Sequence, residues 1–287
     1  MSAISQVYVI YNPNSTGDGL VNAKSLKQSL KANNIRCTLK ATKHAGHATD
    51  LAKELASNDP HSMVISSSGD GGYHEVINGV LSSKNPRVIT GVLPSGNAND
   101  HFHFVHHGDA AQRIARGRAD YIDVLSVSTP DWSHYAHSYV GLGLTPHIGK
   151  ELTKQRPNKL QEKWLVVKNI FAIPEVKIRV GRRVRSYTNV VFSNSGRMSK
   201  YLTLSNDAHI DDGRFEITRV RSNSLYSLFR HLFRATANKI EKTPQAEKFT
   251  FTALRNMHIQ LDGEVYTILS GQKVFVRCHH KKLRCIV

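Results

Sequence analysis

The stretch Met63-Val64-Ile65-Ser66-Ser67-Ser68-Gly69-Asp70-Gly71-Gly72-Tyr73-His74-Glu75-Val76-Ile77-Asn78-Gly79 decides how the first part of this chain is built. Met63–Ser66 is a short run of strand length, and it enters a turn made only of serine, glycine and aspartate. From His74 to Leu81 apolar residues return at helical spacing, with Glu75 placed in the positive first turn of the expected helix. A strand, a glycine-rich turn and a helix in that order form a device for holding an anion. Glycine lets the backbone come close, and the helix N-terminus offers N–H groups and positive potential.

The same alternation surrounds this stretch. Val7–Tyr11 reads as a strand broken by Asn12-Pro13, Leu20–Ala32 as an amphipathic helix, and Ile35–Thr42 as a second strand. Ala48–Ala56 is a helix with Thr49 and Asp50 near its start; Val88–Leu93 is a strand stopped by Pro94; Asp109–Arg116 is a further helix. Strands alternating with helices predict a parallel, doubly wound α/β sheet.

Near residue 121 the period changes to two. Tyr121–Val127, Ser138–Gly143, Val176–Val180, Tyr187–Ser193, Phe215–Val220, Phe249–Phe251, Met257–Leu261, Thr267–Leu269 and Val274–Arg277 are β-branched or aromatic segments separated by turn residues. They predict a β-rich, mostly antiparallel second domain, interrupted by helices at Lys159–Phe171 and Leu225–Ala237. The expected domains are therefore residues 1–123 and 124–287, with a last strand near Arg277–Val287 that is a candidate to return to the first domain.

Charge is distributed unevenly. The chain carries a formal net charge of +17, of which residues 1–120 contribute +3 and residues 121–287 contribute +14. Such a field attracts a polyanion, either nucleic acid or an anionic lipid surface; solubility alone is the plainer explanation. Neither RNA-reading aromatics nor a DNA-binding helix pair is evident, so no specific nucleic acid is expected. No apolar stretch reaches the roughly 18 residues of a membrane span. The first ten residues lack a secretory pattern, and Cys37, Cys278 and Cys285 have no zinc spacing. A cytoplasmic protein is expected. The tract His101, His103, His106 and His107 lacks acidic or thiol partners and reads as a surface helix or loop rather than a metal site.

Three polar loops follow three of the four N-terminal strands: Asn12-Pro13-Asn14-Ser15-Thr16-Gly17, Ser66–Gly72, and Pro94-Ser95-Gly96-Asn97-Ala98-Asn99-Asp100. Ligands of open α/β sheets bind at the carboxyl ends of the strands. One such loop is weak evidence; three at one sheet edge are strong.

Together these loops resemble the diacylglycerol kinase catalytic-domain family, which includes bacterial lipid kinases and the sphingosine kinases. Ser68-Gly69-Asp70-Gly71-Gly72 with its trailing Glu75-Val76-Ile77-Asn78-Gly79 is similar to the family's Gly-Gly-Asp-Gly-Thr motif, and the third loop to its Pro-x-Gly-Thr-Ala-Asn-Asp. Asn206–Gly213 resembles Pro-Asp-Ala-x-x-Asp-Asp-Gly, and Leu261-Asp262-Gly263-Glu264 matches Leu-Asp-Gly-Glu. The motifs stand in family order across nearly the whole chain.

The resemblance implies an ATP-dependent lipid kinase, with ATP in a cleft between two domains and a lipid alcohol as acceptor. Nucleotide contacts would fall on Asn12, Thr42, Ser68, Gly69, Asp70, Gly71, Gly72, Tyr73, His74, Glu75, Gly96 and Asn97. Glu264 would be the general base, with Asp70 and Asp262 as further carboxylates that orient a metal or share that role. A structural Mg²⁺ would lie on the Asp212 carboxylate and the backbone carbonyls of His209 and Arg214. The acceptor is expected to be diacylglycerol-like, with a sphingoid base or phosphatidylglycerol as alternatives. An NAD kinase-like enzyme, or a degenerate kinase fold that only binds lipid or nucleic acid, are the other readings. Peripheral association with an anionic membrane is expected through the basic second half, including Arg179, Arg182, Arg183 and Arg185. Two positions depart from the pattern: Gly72 replaces a common Thr, and Asn97 a Thr or Ser. Asn97 still offers an amide donor.

Overall fold

The computed structural model describes residues 4, 6–15, 17–96, 99–105, 110–147, 174–198, 202–221 and 243–286. The helices expected at Lys159–Phe171 and Leu225–Ala237, together with Asn97, His106 and His107, lie outside the described residues. Two compact units are present, Met1–Val124 with His280–Val287, and Leu125–His279.

In the first unit β1 (Val7–Tyr11), α1 (Gly19–Ala32), β2 (Cys37–Ala41), α2 (His47–Asn58), β3 (Met63–Ser68), α3 (Asp70–Leu81) and β4 (Ile89–Pro94) alternate as expected. The strands are parallel, in the order β2-β1-β3-β4. Two short helices follow, α4 (Asp100–Val105) and α5 (Ala110–Arg116). Val7, Val9, Met63 and Ile65 alternate onto one sheet face and pack with Ala23, Leu26 and Leu30 of α1 and Ile114 of α5. Ile286 joins the same core, and Cys285 pairs in parallel with Thr90 of β4, so the chain's end adds a strand to this sheet.

Two boundary differences fall at the glycine-rich turn. Helix α3 begins at Asp70, four residues before His74, so Asp70 and not Glu75 occupies its first turn. The glycines at 71 and 72 lower local propensity, yet the close seat of this helix outweighs them: a Cβ on Gly79 would stand 2.3 Å from the Thr49 carbonyl of α2. Strand β3 continues to Ser68, because the Ser66–Ser68 segment pairs with Val92–Pro94 of β4.

Strand β5 (Ala119–Ser128) leads out of the first unit and into the second. There β6 (Ser133–Ala136), β7 (Tyr139–Gly143), β8 (Val176–Val180), β9 (Arg183–Ser193), β10 (Arg197–Met198), β11 (Leu202–Thr203), β12 (Phe215–Arg221), β13 (Gln245–Ala246), β14 (Lys248–Ala253), β15 (Met257–Leu261), β16 (Glu264–Ile268) and β17 (Lys273–Ile286) form antiparallel pairs. The main order is β16-β15-β7-β9-β8-β14-β17. Alternate residues such as Val140, Ile178, Phe192, Phe251, Ile259 and Val274 supply the core. Phe192 and Phe215 meet edge to face at 5.7 Å, a favoured aromatic geometry.

The segment Gly181–Ser186, expected as an exposed hairpin turn, is turn only at Gly181 and Arg182; Arg183 onward is strand. Arg179 faces the same side as Val184, its cross-strand partner, whereas Arg183 and Arg185 pair with Val180 and Ile178 on the opposite side. Those arginines therefore do not form one patch.

Candidate active site

The three loops of the first unit are locked to one another. A Cβ on Gly96 would lie 2.4 Å from the Gly69 Cα, and one on Gly17 would lie 1.9 Å from the Ser95 carbonyl oxygen. No larger side chain fits at either contact. The Ser95 N–H donates to the Ser68 carbonyl at 3.1 Å, the Ser67 hydroxyl to the Gly19 carbonyl at 2.7 Å, and the Asn22 amide to Ser95 Oγ at 2.9 Å. Asn99, at φ 51°, closes the third loop by exchanging hydrogen bonds with the Gly96 backbone. Asn12 Oδ1 accepts from the Asn14 N–H, and the Thr42 N–H donates to the Tyr11 carbonyl.

Helix α3 opens at this edge, with Gly69 as its extended cap residue and no side-chain cap. The N–H groups of Gly71 and Gly72 stand in its first turn, where an α-helix provides no internal acceptor. The turn can therefore receive an anion such as phosphate. Asp70 does not cap its own helix: its Oδ1 accepts the His101 N–H at 3.2 Å, which ties it to α4. Tyr73 and His74 are buried, and the Tyr73 hydroxyl bonds Thr90 Oγ1 at 2.9 Å. Glu75 turns to α2, accepting the N–H groups of Gly46 and Ala48 at 3.1 Å each. These three side chains hold the fold around the loop, and the groups its first turn leaves open are backbone N–H groups. His101, expected on a surface, is 3% exposed and its ring lies tilted against Tyr73 at 4.8 Å; His103 is exposed.

In the second unit, Asp262 and Gly263 take φ 49° and 107° and make the two-residue turn between β15 and β16. Glu264 opens β16 and is exposed. Asp262 is wholly buried and anchors the turn. Its carboxylate accepts the N–H groups of His137, Ser138 and Tyr139 at 2.8, 2.9 and 3.0 Å, and His137 Nε2 lies 3.5 Å away. This leaves Asp262 suited to positioning the turn rather than to accepting a proton. At the far end of the hairpin, Gly143, Pro146, Val176 and Met257, with His147 and His258, line a half-open cavity of about 260 Å³.

Asp212 takes two hydrogen bonds, from the Arg214 N–H at 2.9 Å and from the Gln245 amide at 3.4 Å. The same amide nitrogen donates to Glu216 Oε1 at 3.2 Å. Glu216 was not among the residues picked out from the sequence, because it sits at an ordinary strand position. It is 2% exposed, and burial, with a smaller contribution from the nearby Asp212 charge, pushes its carboxyl above the usual range. Two carboxylates sharing one amide offer oxygen donors of the kind a hard divalent cation takes, to which the expected backbone carbonyls of His209 and Arg214 would add. Among the described residues no group of three His, Cys, Asp or Glu side chains could hold a metal, so such a cation would depend on those carbonyls.

Residues 6–127 match the model of the diacylglycerol kinase catalytic domain. Over these residues the chain is similar to the diacylglycerol kinase catalytic-domain family. A diacylglycerol kinase from Staphylococcus saprophyticus is 24% identical over 94% of this chain and 92% of its own. One from Staphylococcus aureus strain RF122 is 26% identical over 78% and 74%. A diacylglycerol kinase crystal structure from Bacillus anthracis superposes with a TM-score of 0.76 at 19% identity, covering 100% of this chain and 98% of that one.

The diacylglycerol kinase family's threonine has no room at position 72 here. A Cβ on Gly72 would stand 2.4 Å from Ser68 Oγ and 2.6 Å from Ser68 Cβ. Ser68 occupies the space that a side chain at 72 would fill, in the place where the family pattern has glycine. Ser68 and the departure at Gly72 therefore share one space, and a hydroxyl stands on the strand side of the turn.

Proposed function

We propose that this protein is a lipid kinase that transfers the γ-phosphoryl group of ATP to the hydroxyl of a membrane lipid, most simply one of diacylglycerol type. The observation that carries the reading is the mutual locking of three glycine-bearing loops at the ends of β1, β3 and β4, inside the region that matches the catalytic domain. Phosphoryl transfer requires positioning, charge neutralisation and a proton acceptor. The first-turn N–H groups of α3 and the Ser68 hydroxyl hold phosphate oxygens, with Gly96, Asn97, Asn12 and Thr42 bordering the nucleotide. Asp70 orients the nucleotide and its cation. The lipid oxygen bonds to the γ-phosphorus as the bridge to ADP breaks, and Glu264 accepts the hydroxyl proton. Asp262 holds the turn that presents Glu264. Asp212, Glu216 and the carbonyls of His209 and Arg214 would hold Mg²⁺, which would supply fixed positive charge. The apolar cavity at the other end of the Glu264 hairpin lies three residues along the strand, about 10 Å, and suits the tail of the acceptor.

Incubation with labelled ATP and a panel of lipid alcohols in mixed micelles tests this reading. Label in a phospholipid product is the expected result. Label in NADP, or in no product with any lipid alcohol, would remove it.

A further inference from the structure

The sheet β9-β8-β14-β17 of the second unit buries one side and leaves the other in solvent. On β8 the outward residues are Lys177 and Arg179, on β14 Lys248, Thr250 and Thr252, and on β17 Lys273, Phe275 and Arg277. Register places Val184, Arg179, Thr252 and Lys273 in one row across four strands, Thr250 beside Phe275, and Lys248 beside Arg277. No Asp or Glu occupies an outward position on these segments. The nearest acids along the strands, Glu175 and Glu247, are approached by Arg255 at 2.9 Å and Arg214 at 3.9 Å, cations from outside this face. Among the described residues none of the five basic side chains makes an ion pair.

Two features of this face work against the isolated fold. Like charges directly opposite one another on neighbouring strands are destabilising, and Lys248 faces Arg277 in that way. Phe275 is 46% exposed in the middle of the cations, with the Lys273 ammonium 5.1 Å from its ring. An anionic partner relieves the first and an apolar layer the second. The cations are spread over three strands, each about 4.8 Å from the next, so they match a two-dimensional array of phosphates better than a single strand.

From this we infer that the outer face of β8, β14 and β17 docks the protein on an anionic lipid bilayer, with Phe275 entering the headgroup layer. The choice of a bilayer over another polyanion rests on the lipid-kinase reading; the charge geometry does not. Each basic side chain near an anionic surface contributes about 1 kcal/mol, and the attraction fades beyond a Debye length of roughly 8 Å at physiological salt.

Vesicle cosedimentation without ATP tests the inference, using phosphatidylcholine alone and phosphatidylcholine with phosphatidylserine. Wild type binds the anionic vesicles, loses them at high salt, and binds the neutral ones far less. K177Q/R179Q/K273Q binds anionic vesicles about a hundredfold more weakly, three cations at about 1 kcal/mol each and 1.4 kcal/mol per tenfold. F275S weakens binding about tenfold, and R183Q/R185Q, on the other side of the sheet, changes it less than threefold. All variants keep wild-type turnover on a short-chain, water-soluble lipid alcohol. Equal losses in R183Q/R185Q and in the triple variant would reduce the effect to net charge and overturn the face. Tighter binding to single-stranded RNA than to anionic vesicles, or loss of soluble turnover in the triple variant, would also overturn it. Wild type that docks as described but phosphorylates no lipid alcohol keeps the docking face and removes the kinase reading instead.

Discussion

Restoring the family threonine by G72T should damage this protein, and removing Ser68 at the same time should repair it. Glycine in a helix costs about 1 kcal/mol relative to alanine, so the substitution gains some helix propensity. Against this, the new Cβ would arrive 2.6 Å from Ser68 Cβ, an atom fixed by the strand and not the free end of a flexible chain. Overpacking of this kind costs about 1–3 kcal/mol, so G72T is expected to lose about 1–2 kcal/mol net. S68G alone loses the hydroxyl that bonds Ser66 Oγ at 2.6 Å and adds a strand glycine, for about 1 kcal/mol. The double variant S68G/G72T has neither contact, and the four proteins should show a favourable coupling of about 1–3 kcal/mol. Urea denaturation of all four measures it, and the KM for ATP should worsen in S68G and recover in the double variant. Additive stabilities, or G72T as stable as wild type, would refute the claim that the two positions share one space.

E264Q and D70N should each lower turnover by on the order of a hundredfold, and E264Q, at an exposed position, should leave the thermal midpoint within a degree or so of wild type; near-normal turnover in both would displace the assigned chemistry. D262N replaces an oxygen that accepts the His137 N–H with an amide donor, so it should destabilise the protein by roughly 2 kcal/mol, read as a lower denaturation midpoint and accompanied by reduced turnover. Glu216 binds its proton more tightly when folded, so its contribution to stability is full below the ordinary carboxyl value of 4.5 and is lost as pH rises through the higher folded value. In chelator, scanning calorimetry should therefore find E216Q gaining on wild type across that rise, and added Mg²⁺ should stabilise wild type but not E216Q; parallel pH curves would dismiss the raised carboxyl value, and equal Mg²⁺ stabilisation of both proteins would dismiss the cation role.

The α/β half was legible because its signals are local. Val7–Tyr11 ends at Asn-Pro, Val88–Leu93 runs into Pro94, and the observed strands end within a residue of both. Where partners are distant in sequence, legibility failed. Polar Ser67 and Ser68 gave no strand signal and are held in β3 by β4. Ser133–Ala136 of β6 carries mixed polar and aromatic residues and is a strand through its pairing with Leu125–Ser128. The loops were found as motifs, but not the way Glu75 serves α2 or Tyr73 serves β4, since both depend on side-chain direction. The motif marks Asp262 as a further catalytic carboxylate, and only the start of β7, more than a hundred residues earlier, explains why that carboxylate is buried.

The last eight residues complete the unit that the first residues begin, and this sets an order on how the molecule is made. Synthesis adds residues in order, at roughly 5–20 per second, so Cys285 and Ile286 reach the sheet edge beside β4 only after Leu125–His279 has been made. Until then β4 can pair with β3, and its other edge waits for β17. A chain cut before Cys285 would carry every motif and lack the strand that pairs with β4.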